Sequence, residues 1–212
     1  MGRVVVDLSV SLDGFVAGAG DGLTLPLGRG GEGLFTWMSA GPESNRVERR
    51  LNPPDASKVV VDEWMTGTGA MLSGRRTFDI ANGWSGGHPI DAPIFVVTHE
   101  APTEGEWSPQ VSFVTDGLDH ALELAQAAAG DKVVSLAGAS LAQQLLQAGK
   151  LDEIQVSVAP LLLGSGVRLF DHLGADPIRL EQTRVIESDG VTHLRYRVLR
   201  QAGAARAPVP QP

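Results

Sequence analysis

The sequence contains no cysteine among its 212 residues. This absence excludes disulfide bonds, catalysis by a thiolate and zinc sites that use cysteine ligands. Aromatic residues are also few, at 5%, whereas hydrophobic residues make up 42% of the chain and charged residues 20%. These proportions are typical of a globular protein. A chain of this length buries about 70% of the surface that its unfolded form exposes, so it needs no disulfide or metal to fold.

Basic residues are outnumbered, with 17 Lys and Arg against 25 Asp and Glu and a net charge of −8. A nucleic-acid-binding protein usually carries a basic excess, so we expect no nucleic-acid partner. No apolar run approaches the ~20 residues that a membrane-spanning helix needs. The start of the chain, Met-Gly-Arg, lacks the features of a secretory signal. We therefore expect a cytoplasmic protein that does not contact a membrane.

Strand-like and helix-like segments alternate along the chain. Apolar residues at every second position from Val4 to Leu12 predict a first strand with one buried face. Further strands are predicted over 70–73, 93–98, 111–115, 132–136 and 153–158, and helices over 54–66, 75–82, 118–128 and 139–148. Two long strands, 178–187 and 191–200, flank the hairpin signal Ser188-Asp189-Gly190. This order predicts a three-layer α/β fold, in which helices cover both faces of a mixed, mostly parallel sheet and an antiparallel hairpin ends the chain.

Glycine is concentrated between the first strand and the first helix. Residues 14–33 contain eight glycines and predict a long, mobile loop, a feature that is usually functional or disordered in a compact domain. In the helix predicted over 54–66, Val59, Val60 and Trp64 are expected to reach the core. Residues 201–212 are rich in Ala, Pro and Gln and predict a disordered tail. We expect one domain over residues 1–200, with the loop available as a lid.

Three strand ends carry small or polar residues. Gly74-Arg75-Arg76-Thr77 begins a predicted helix, whose free N–H groups and dipole, together with two guanidinium groups, suit a phosphate. A surface helix with two solvated arginines is the alternative. Gly138-Ala139 forms either a second phosphate-binding turn or a tightly packed one, and Thr98-His99 ends another strand. Ligands of open α/β sheets bind at such strand ends.

Five stretches give the chain a resemblance to the dihydrofolate reductase fold, and more closely to the reductase domain of bacterial riboflavin biosynthesis and its stand-alone relatives. They are residues 11–17 (SLDGFVA), 72–78 (LSGRRTF), 94–98 (IFVVT), 136–141 (LAGASL) and the segment 151–166, which begins LDE and ends APLLLGSG. The resemblance covers about residues 3–200 and implies a three-layer fold of the dihydrofolate reductase type.

The resemblance also implies NADPH as the cofactor. Arg75 matches the position that contacts the 2′-phosphate, Arg76 and Thr77 match pyrophosphate-binding positions, and Ala17 matches a position near the nicotinamide. A charged hydrogen bond from arginine to phosphate contributes ~1.5–3 kcal/mol, which favours NADPH over NADH. The other implied cofactor-binding residues are Gly74, Val97, Thr98, His99, Gly138, Ala139, Ser140, Leu141, Leu163, Gly164, Ser165 and Gly166.

Three substrate-binding positions are implied by the same resemblance, and the catalytic residues are unknown. Asp13 belongs to the Ser-Leu-Asp-Gly stretch typical of the riboflavin-type relatives, or it forms the turn before Gly14. Asp55 is the acid nearest to the folate-binding position, which falls on Lys58, or it complements the dipole of its helix. Ser157 matches a strand position that faces the pterin pocket, or it is a polar residue on a half-exposed strand.

Two further patterns predict no site. Residues 28–33 fit the spacing G-x-G-x-x-G but follow no apolar strand, and the five histidines lack the spacing of metal ligands. The resemblance implies an NADPH-dependent reductase that acts on a C=N or C=O bond of a small heterocyclic or sugar-linked substrate. The alternative is a ligand-binding protein that has kept the fold and lost the chemistry. A homodimer through the C-terminal strands is also expected.

Overall fold

The computed structural model of the protein describes residues 2–39 and 51–199, so the tail predicted at 201–212 lies outside the described residues. Within them the strands are β1 Val4–Ser11, β2 Phe15–Gly18, β3 Thr68–Gly74, β4 Ile94–Val97, β5 Val111–Val114, β6 Val133–Ala137, β7 Glu153–Ala159, β8 Gly166–Arg168, β9 Leu180–Ser188 and β10 Val191–Val198. The α-helices are α1 Asp55–Gly67, α2 Arg75–Ile80, α3 Leu118–Ala129 and α4 Ala139–Gln147. Two 3₁₀ helices span Gly31–Ser39 and Asn82–Trp84. None of these helices combines the length and apolar character needed to cross a membrane.

Eight strands form one sheet in the order β5-β4-β3-β6-β1-β7-β10-β9. The six strands from β5 to β7 are parallel, and β10 and β9 complete the sheet as antiparallel strands. Gly190, with a φ of +73°, lies in the tight turn between β9 and β10, where a side chain would strain the backbone. The predicted mixed sheet and its closing hairpin are therefore confirmed.

Helices cover both faces of this sheet. On one face, α3 and α4 bury Leu122 and Leu145 against Val4 and Leu136. On the other face, Phe78 of α2 packs with Met71 and Ile94, and the 3₁₀ helix Gly31–Ser39 buries Trp37 against Val61 of α1. The apolar residues of α4 recur at positions 141, 142, 145 and 146, a spacing that places them along one stripe of a helix. The three-layer prediction is confirmed.

The first strand is buried on both faces, whereas its sequence pattern predicts burial on one. Val4 and Val6 are fully buried beneath α3 and α4, and Val5 on the opposite face is only 4% exposed. The same pattern predicts Leu12 inside, but this residue lies beyond the end of β1 and is 69% exposed. A central strand of a parallel sheet is covered on both sides, so a polar–apolar alternation understates its burial.

Residues 14–33 do not form the single continuous loop that their sequence predicts. β2 pairs with β8 inside a small antiparallel ribbon, Gly22 and Leu25 form an isolated bridge, and the long 3₁₀ helix begins at Gly31. Both strands of the ribbon are short and rich in glycine, so they carry no usable alternation.

The register of α1 also differs from the prediction. Val60 is buried as expected, but Val59 is 45% exposed and Val61 takes its place inside. Ser57, one helical turn before Val61, is completely buried against the sheet. Trp64 is partly buried and packs against the cluster around Met71.

Candidate functional site

A crevice opens where two neighbouring parallel strands send their connections in opposite directions. β3 leads through α2 to β4, whereas β6 leads through α4 to β7 on the far side of β1. Because β3 and β6 are paired neighbours, the connections diverge at their carboxyl ends. Such a switch point is where open α/β sheets bind ligands. A cavity of about 710 Å³ lies there, within the ~300–1,000 Å³ usual for small-molecule sites.

The cavity gathers most of the residues that the sequence predicts to bind a cofactor. The end of β2, the end of β4 and the two strand-to-helix turns contribute them: Ala17, Gly74, Arg75, Arg76, Thr77, Val97, Thr98, His99, Gly138, Ala139, Ser140 and Leu141. The predicted residues Leu163, Gly164, Ser165 and Gly166 do not line the cavity. Their segment leads into β8, whose Val167 does line it.

The two strand-to-helix turns touch each other across the crevice. A Cβ atom added to Gly138 would lie 2.7 Å from the Thr77 hydroxyl oxygen. Gly138 also has a φ of +113°, a conformation that side chains disfavour. The narrow gap between Gly138 and Thr77 at the start of α4 therefore leaves no room for a side chain at position 138. Such a gap lets a phosphate approach the backbone closely.

Two adjacent arginines line the cavity and have different partners. Arg75 donates from Nε to Asp79 Oδ1 at 2.8 Å and from Nη1 to the Glu100 carbonyl at 2.9 Å. Arg76 donates from Nη2 to the Asp21 carboxylate at 2.8 Å and to the Asp21 carbonyl at 3.0 Å. Asp79 lies one turn along the same helix. Asp21 belongs to residues 19–30, which join β2 to the 3₁₀ helix and are called the covering segment, because Asp21, Pro26 and Leu27 line the cavity. An anionic ligand would thus meet Arg75, which is held by its own helix, and Arg76, which is bonded to the covering segment.

The cavity is polar toward β4 and β5 and apolar toward β1. Thr98, His99 and Thr115 line the polar part beside Arg75. The apolar part is formed by residues that the sequence does not predict to bind a ligand, from β1, β2, β8 and the covering segment with the 3₁₀ helix that follows it: Leu8, Val16, Pro26, Leu27, Phe35 and Val167. This arrangement suits an elongated ligand with phosphates at one end and a flat apolar ring at the other. The apolar wall has no local sequence pattern because it joins four separated segments.

Asp13, predicted on the substrate side, does not line the cavity. Its carboxylate accepts hydrogen bonds from the Ser11 hydroxyl at 2.5 Å and from the backbone N–H groups of Leu163 and Gly164 at 3.1 and 2.7 Å. The Ser11 bond and these backbone bonds lower the pKa of Asp13 to about 2. The carboxylate therefore fixes the turn that precedes β8, and through it the wall of the cavity.

The other two predicted substrate residues lie apart from the cavity as well. Asp55 begins α1, is largely exposed and pairs with Lys58 at 2.6 Å. Ser157 is 2% exposed and its hydroxyl lies 2.8 Å from Nδ1 of His193. On the opposite side of the imidazole, the Ser57 hydroxyl lies 2.8 Å from Nε2. The three predicted substrate residues therefore lie apart from one another and outside the cavity lining.

His193 is the centre of a buried polar cluster that the sequence does not reveal. The Trp37 indole meets its ring edge-on at 4.9 Å and donates to Ser9 at 3.1 Å. Ser57 also donates to Ser188 at 2.8 Å, so the cluster reaches the turn between β9 and β10. Burial, with a smaller effect of nearby Arg184, lowers the pKa of His193 to about 4. The imidazole is therefore neutral at physiological pH.

A second polar group on the same face surrounds Asp7 of β1. Gln155 donates to the Asp7 carboxylate at 3.1 Å, and Arg184 donates to Gln155 at 3.1 Å and to Glu63 at 2.7 Å. Burial raises the pKa of Asp7 to about 7, although Arg195 and Arg184 act in the opposite direction. This face of the sheet thus holds an acid with a raised pKa and a base with a lowered pKa.

The fold, with its cavity at the β3–β6 switch point, defines an α/β domain of the dihydrofolate reductase type. The chain belongs to the family described as the RibD C-terminal domain, whose model matches residues 3–194. It is similar to the uncharacterized protein YyaP of Bacillus subtilis (strain 168), at 24% identity over 92% of this chain and 94% of that protein.

Solved structures show the same fold. A putative riboflavin biosynthesis protein from Shewanella sp. PV-4 has a TM-score of 0.63 and 24% identity, over 93% of this chain and 99% of that one. RibD of Acinetobacter baumannii has a TM-score of 0.61 and 19% identity, over 94% of this chain and 59% of its own. A deaminase/5-amino-6-(5-phosphoribosylamino)uracil reductase of Thermotoga maritima has a TM-score of 0.58 and 17% identity, over 93% of this chain and 57% of its own. The chain thus shares its fold with these proteins.

Proposed function

We propose that the protein is an NADPH-dependent reductase that acts on a C=N or C=O bond of a small heterocyclic or sugar-linked molecule. The proposal rests mainly on one observation: a single cavity is lined by Arg75 of α2, by the Gly138 turn before α4 and by apolar residues beside Ala17. Homology to reductase domains supports the class of reaction. The bound cofactor would supply the hydride, while the protein binds and orients the reactants and excludes water.

The polar part of the crevice fits the phosphates of a dinucleotide. Gly138, Ala139 and Ser140 line the cavity, so the backbone N–H groups at the start of α4 would lie beside a bound pyrophosphate. Arg75 lies beside the ends of β4 and β5, where the adenosine half would extend. In this arrangement Arg75 contacts the 2′-phosphate, which distinguishes NADPH from NADH, and Arg76 contacts the pyrophosphate.

The apolar part fits the nicotinamide ring. Ala17 of β2 is 7% exposed and lines the cavity together with Phe35 of the 3₁₀ helix and Leu8 of β1. Pro26 and Leu27 of the covering segment line the cavity, and the bond of Asp21 to Arg76 holds this segment to α2. A cover that excludes water favours transfer to the substrate over side reactions.

One observation favours the alternative of a binding protein without catalysis. Asp13, Asp55 and Ser157 all lie outside the cavity lining, so the structure offers none of them for contact with a substrate there. The fold alone does not separate the two functions, which differ in turnover.

Two measurements on the full chain test the proposal. Fluorescence titration should show NADPH binding, and Arg75→Ala should weaken it by about 10- to 100-fold, the loss of one charged hydrogen bond, while NADH binding changes little. NADPH oxidation is then followed by absorbance with dihydrofolate, riboflavin precursors and simple imines. Binding with turnover supports the reductase, binding without turnover on any substrate supports the binding protein, and no binding at millimolar NADPH refutes the reductase.

The predicted homodimer and cytoplasmic location remain proposals. β9 forms one edge of the large sheet and exposes Leu180 and Val185, which are 42% and 48% accessible. Pairing of two copies along this edge would cover those side chains. Light scattering of the full chain and of Val185→Lys would test it, since the variant should shift a dimer toward the monomer.

A further inference from the structure

Arg75 lines two separate depressions in the protein surface. It lines the large cavity at the switch point and also a second groove of about 690 Å³ on the other side of α2. Asp79 lines only the second groove, with Trp107 and Glu104. The Asp79 carboxylate therefore contacts the Arg75 guanidinium from the side of the second groove, away from the proposed cofactor. Apart from the long-range effect of its charge, any influence of Asp79 on a ligand in the large cavity must pass through Arg75.

The guanidinium of Arg75 is held from two directions. Asp79 Oδ1 accepts its Nε–H at 2.8 Å, and the Glu100 carbonyl accepts an Nη1–H at 2.9 Å. The same carbonyl accepts the Thr98 hydroxyl at 2.8 Å, so the turn after β4 is itself fixed. These contacts use two of the five N–H donors of an arginine. The other N–H donors of Arg75 belong to a guanidinium group whose orientation is fixed by these two contacts.

Arg76 offers an internal comparison. Its partner Asp21 lines the large cavity itself and is only 14% exposed, whereas the Arg76 side chain is 66% exposed. A phosphate that approached Arg76 would compete with a carboxylate inside the cavity. At Arg75 the competing carboxylate lies outside the cavity, so the phosphate and Asp79 can bind different edges of one guanidinium.

We propose that Asp79 is the positioning residue that orients Arg75 and thereby sets the selectivity for a dinucleotide with a phosphate on its ribose. This inference rests on the proposed function. An exposed ion pair within one helix contributes little to stability. Its value here is preorganisation, because a long side chain that is already ordered loses less conformational entropy when the phosphate binds.

The direction of the change in NADPH affinity on replacement of Asp79 distinguishes an orienting role from a purely electrostatic one. Asp79 is negative, so its charge alone opposes a bound phosphate, and removal of the charge would tighten NADPH binding. Loss of an orienting partner has the opposite effect. Asp79→Ala removes both the charge and the acceptor, whereas Asp79→Asn removes the charge and keeps an oxygen for the Arg75 Nε–H.

The test measures dissociation constants for NADPH and NADH by fluorescence titration of the full-length protein and both variants. We expect Asp79→Ala to weaken NADPH by about 2- to 10-fold, the cost of ordering one free side chain, with NADH unchanged. Asp79→Asn should restore NADPH binding to the original value or better. Glu181→Ala, which removes an ion pair with Arg197 on β9 and β10, is the matched control and should change neither constant.

Each other outcome overturns the inference. Tighter NADPH binding in both variants would show that Asp79 acts only through its charge. An equal loss for NADPH and NADH would show a general structural role of α2. If the unmodified protein binds NADPH and neither variant differs from it, Asp79 has no role, while the proposed function stands. If the unmodified protein binds neither dinucleotide, both proposals fail.

Discussion

His193 and Asp7 should make opposite contributions to stability as the pH changes. The folded pKa of His193 is about 4, below the ordinary 6.5, so between these values the unfolded chain holds a proton that the folded chain lacks. Its stabilisation is complete above pH 6.5 and is lost as the pH falls toward 4. The folded pKa of Asp7 is about 7, above the ordinary 3.8, so the folded chain holds the extra proton. Its contribution is complete below pH 3.8 and is lost as the pH rises through 7.

The two effects are of similar size. The His193 shift corresponds to about 3 kcal/mol and the Asp7 shift to about 4 kcal/mol, at about 1.4 kcal/mol for each unit of pKa. Between pH 6.5 and pH 4 the slopes have opposite signs and nearly cancel. These two groups should therefore leave the free energy of unfolding of the unmodified protein almost flat over that range, although each contribution is large.

Urea unfolding at several pH values can separate the two contributions. Asp7→Asn removes the acid, so its free energy of unfolding should fall by about 3 kcal/mol, relative to the unmodified protein's own change, on acidification from pH 6.5 to 4. His193→Gln should show the reverse trend and gain stability on acidification. All other titrating groups are shared, so the differences in slope isolate the two residues. Three parallel curves would refute the argument, whatever the absolute stability of each variant.

Three further substitutions test the site and the core. Gly138→Ala should weaken dinucleotide binding by about 10-fold or more in fluorescence titration, because the new Cβ would lie 2.7 Å from the Thr77 hydroxyl at a strained φ; unchanged binding would contradict the phosphate role of this turn. Asp13→Asn should lower the melting temperature and increase proteolysis near Gly164, since an amide cannot accept both backbone N–H bonds as strongly, and equal cleavage rates would count against it. Leu34→Ala should destabilise the protein by ~2–5 kcal/mol in urea unfolding, because this fully buried side chain holds the 3₁₀ helix on the sheet.

The order of elements was predictable because each large element carries its own periodic signal. α4 buries Leu141 and Leu145 at helical spacing, and the Asp189-Gly190 turn lies where the hairpin forms. The errors occur where burial depends on distant partners. Leu12 continues the alternation of β1 but leaves the sheet, and the pairing of β2 with β8 joins segments about 150 residues apart. No local pattern contains that information.

The polar part of the cavity lining was predictable from the sequence, and the apolar part was not. Gly74, Arg75 and Gly138 are visible in sequence because glycines and charged residues at strand ends contribute little to a hydrophobic core and match the needs of a bound phosphate. Phe35 and Val167 look like ordinary core residues until the fold brings them to the cavity. His193 gives no signal for the same reason, since its partners come from α1, β7 and the 3₁₀ helix.

The contacts that fix the site use backbone atoms to a large extent. Arg75 is held by the Glu100 carbonyl, Arg76 by the Asp21 carbonyl as well as its carboxylate, and Asp13 binds backbone N–H groups of the 163–164 turn. A backbone partner depends on the path of the chain and not on the identity of the side chain at that position. A residue that contributes only a backbone atom, such as Glu100 or Leu163, can therefore change without loss of the contact, whereas Arg75, Arg76 and Asp13 cannot. It follows that substitutions of Glu100 should leave dinucleotide binding largely intact, whereas substitutions of Arg75 should not.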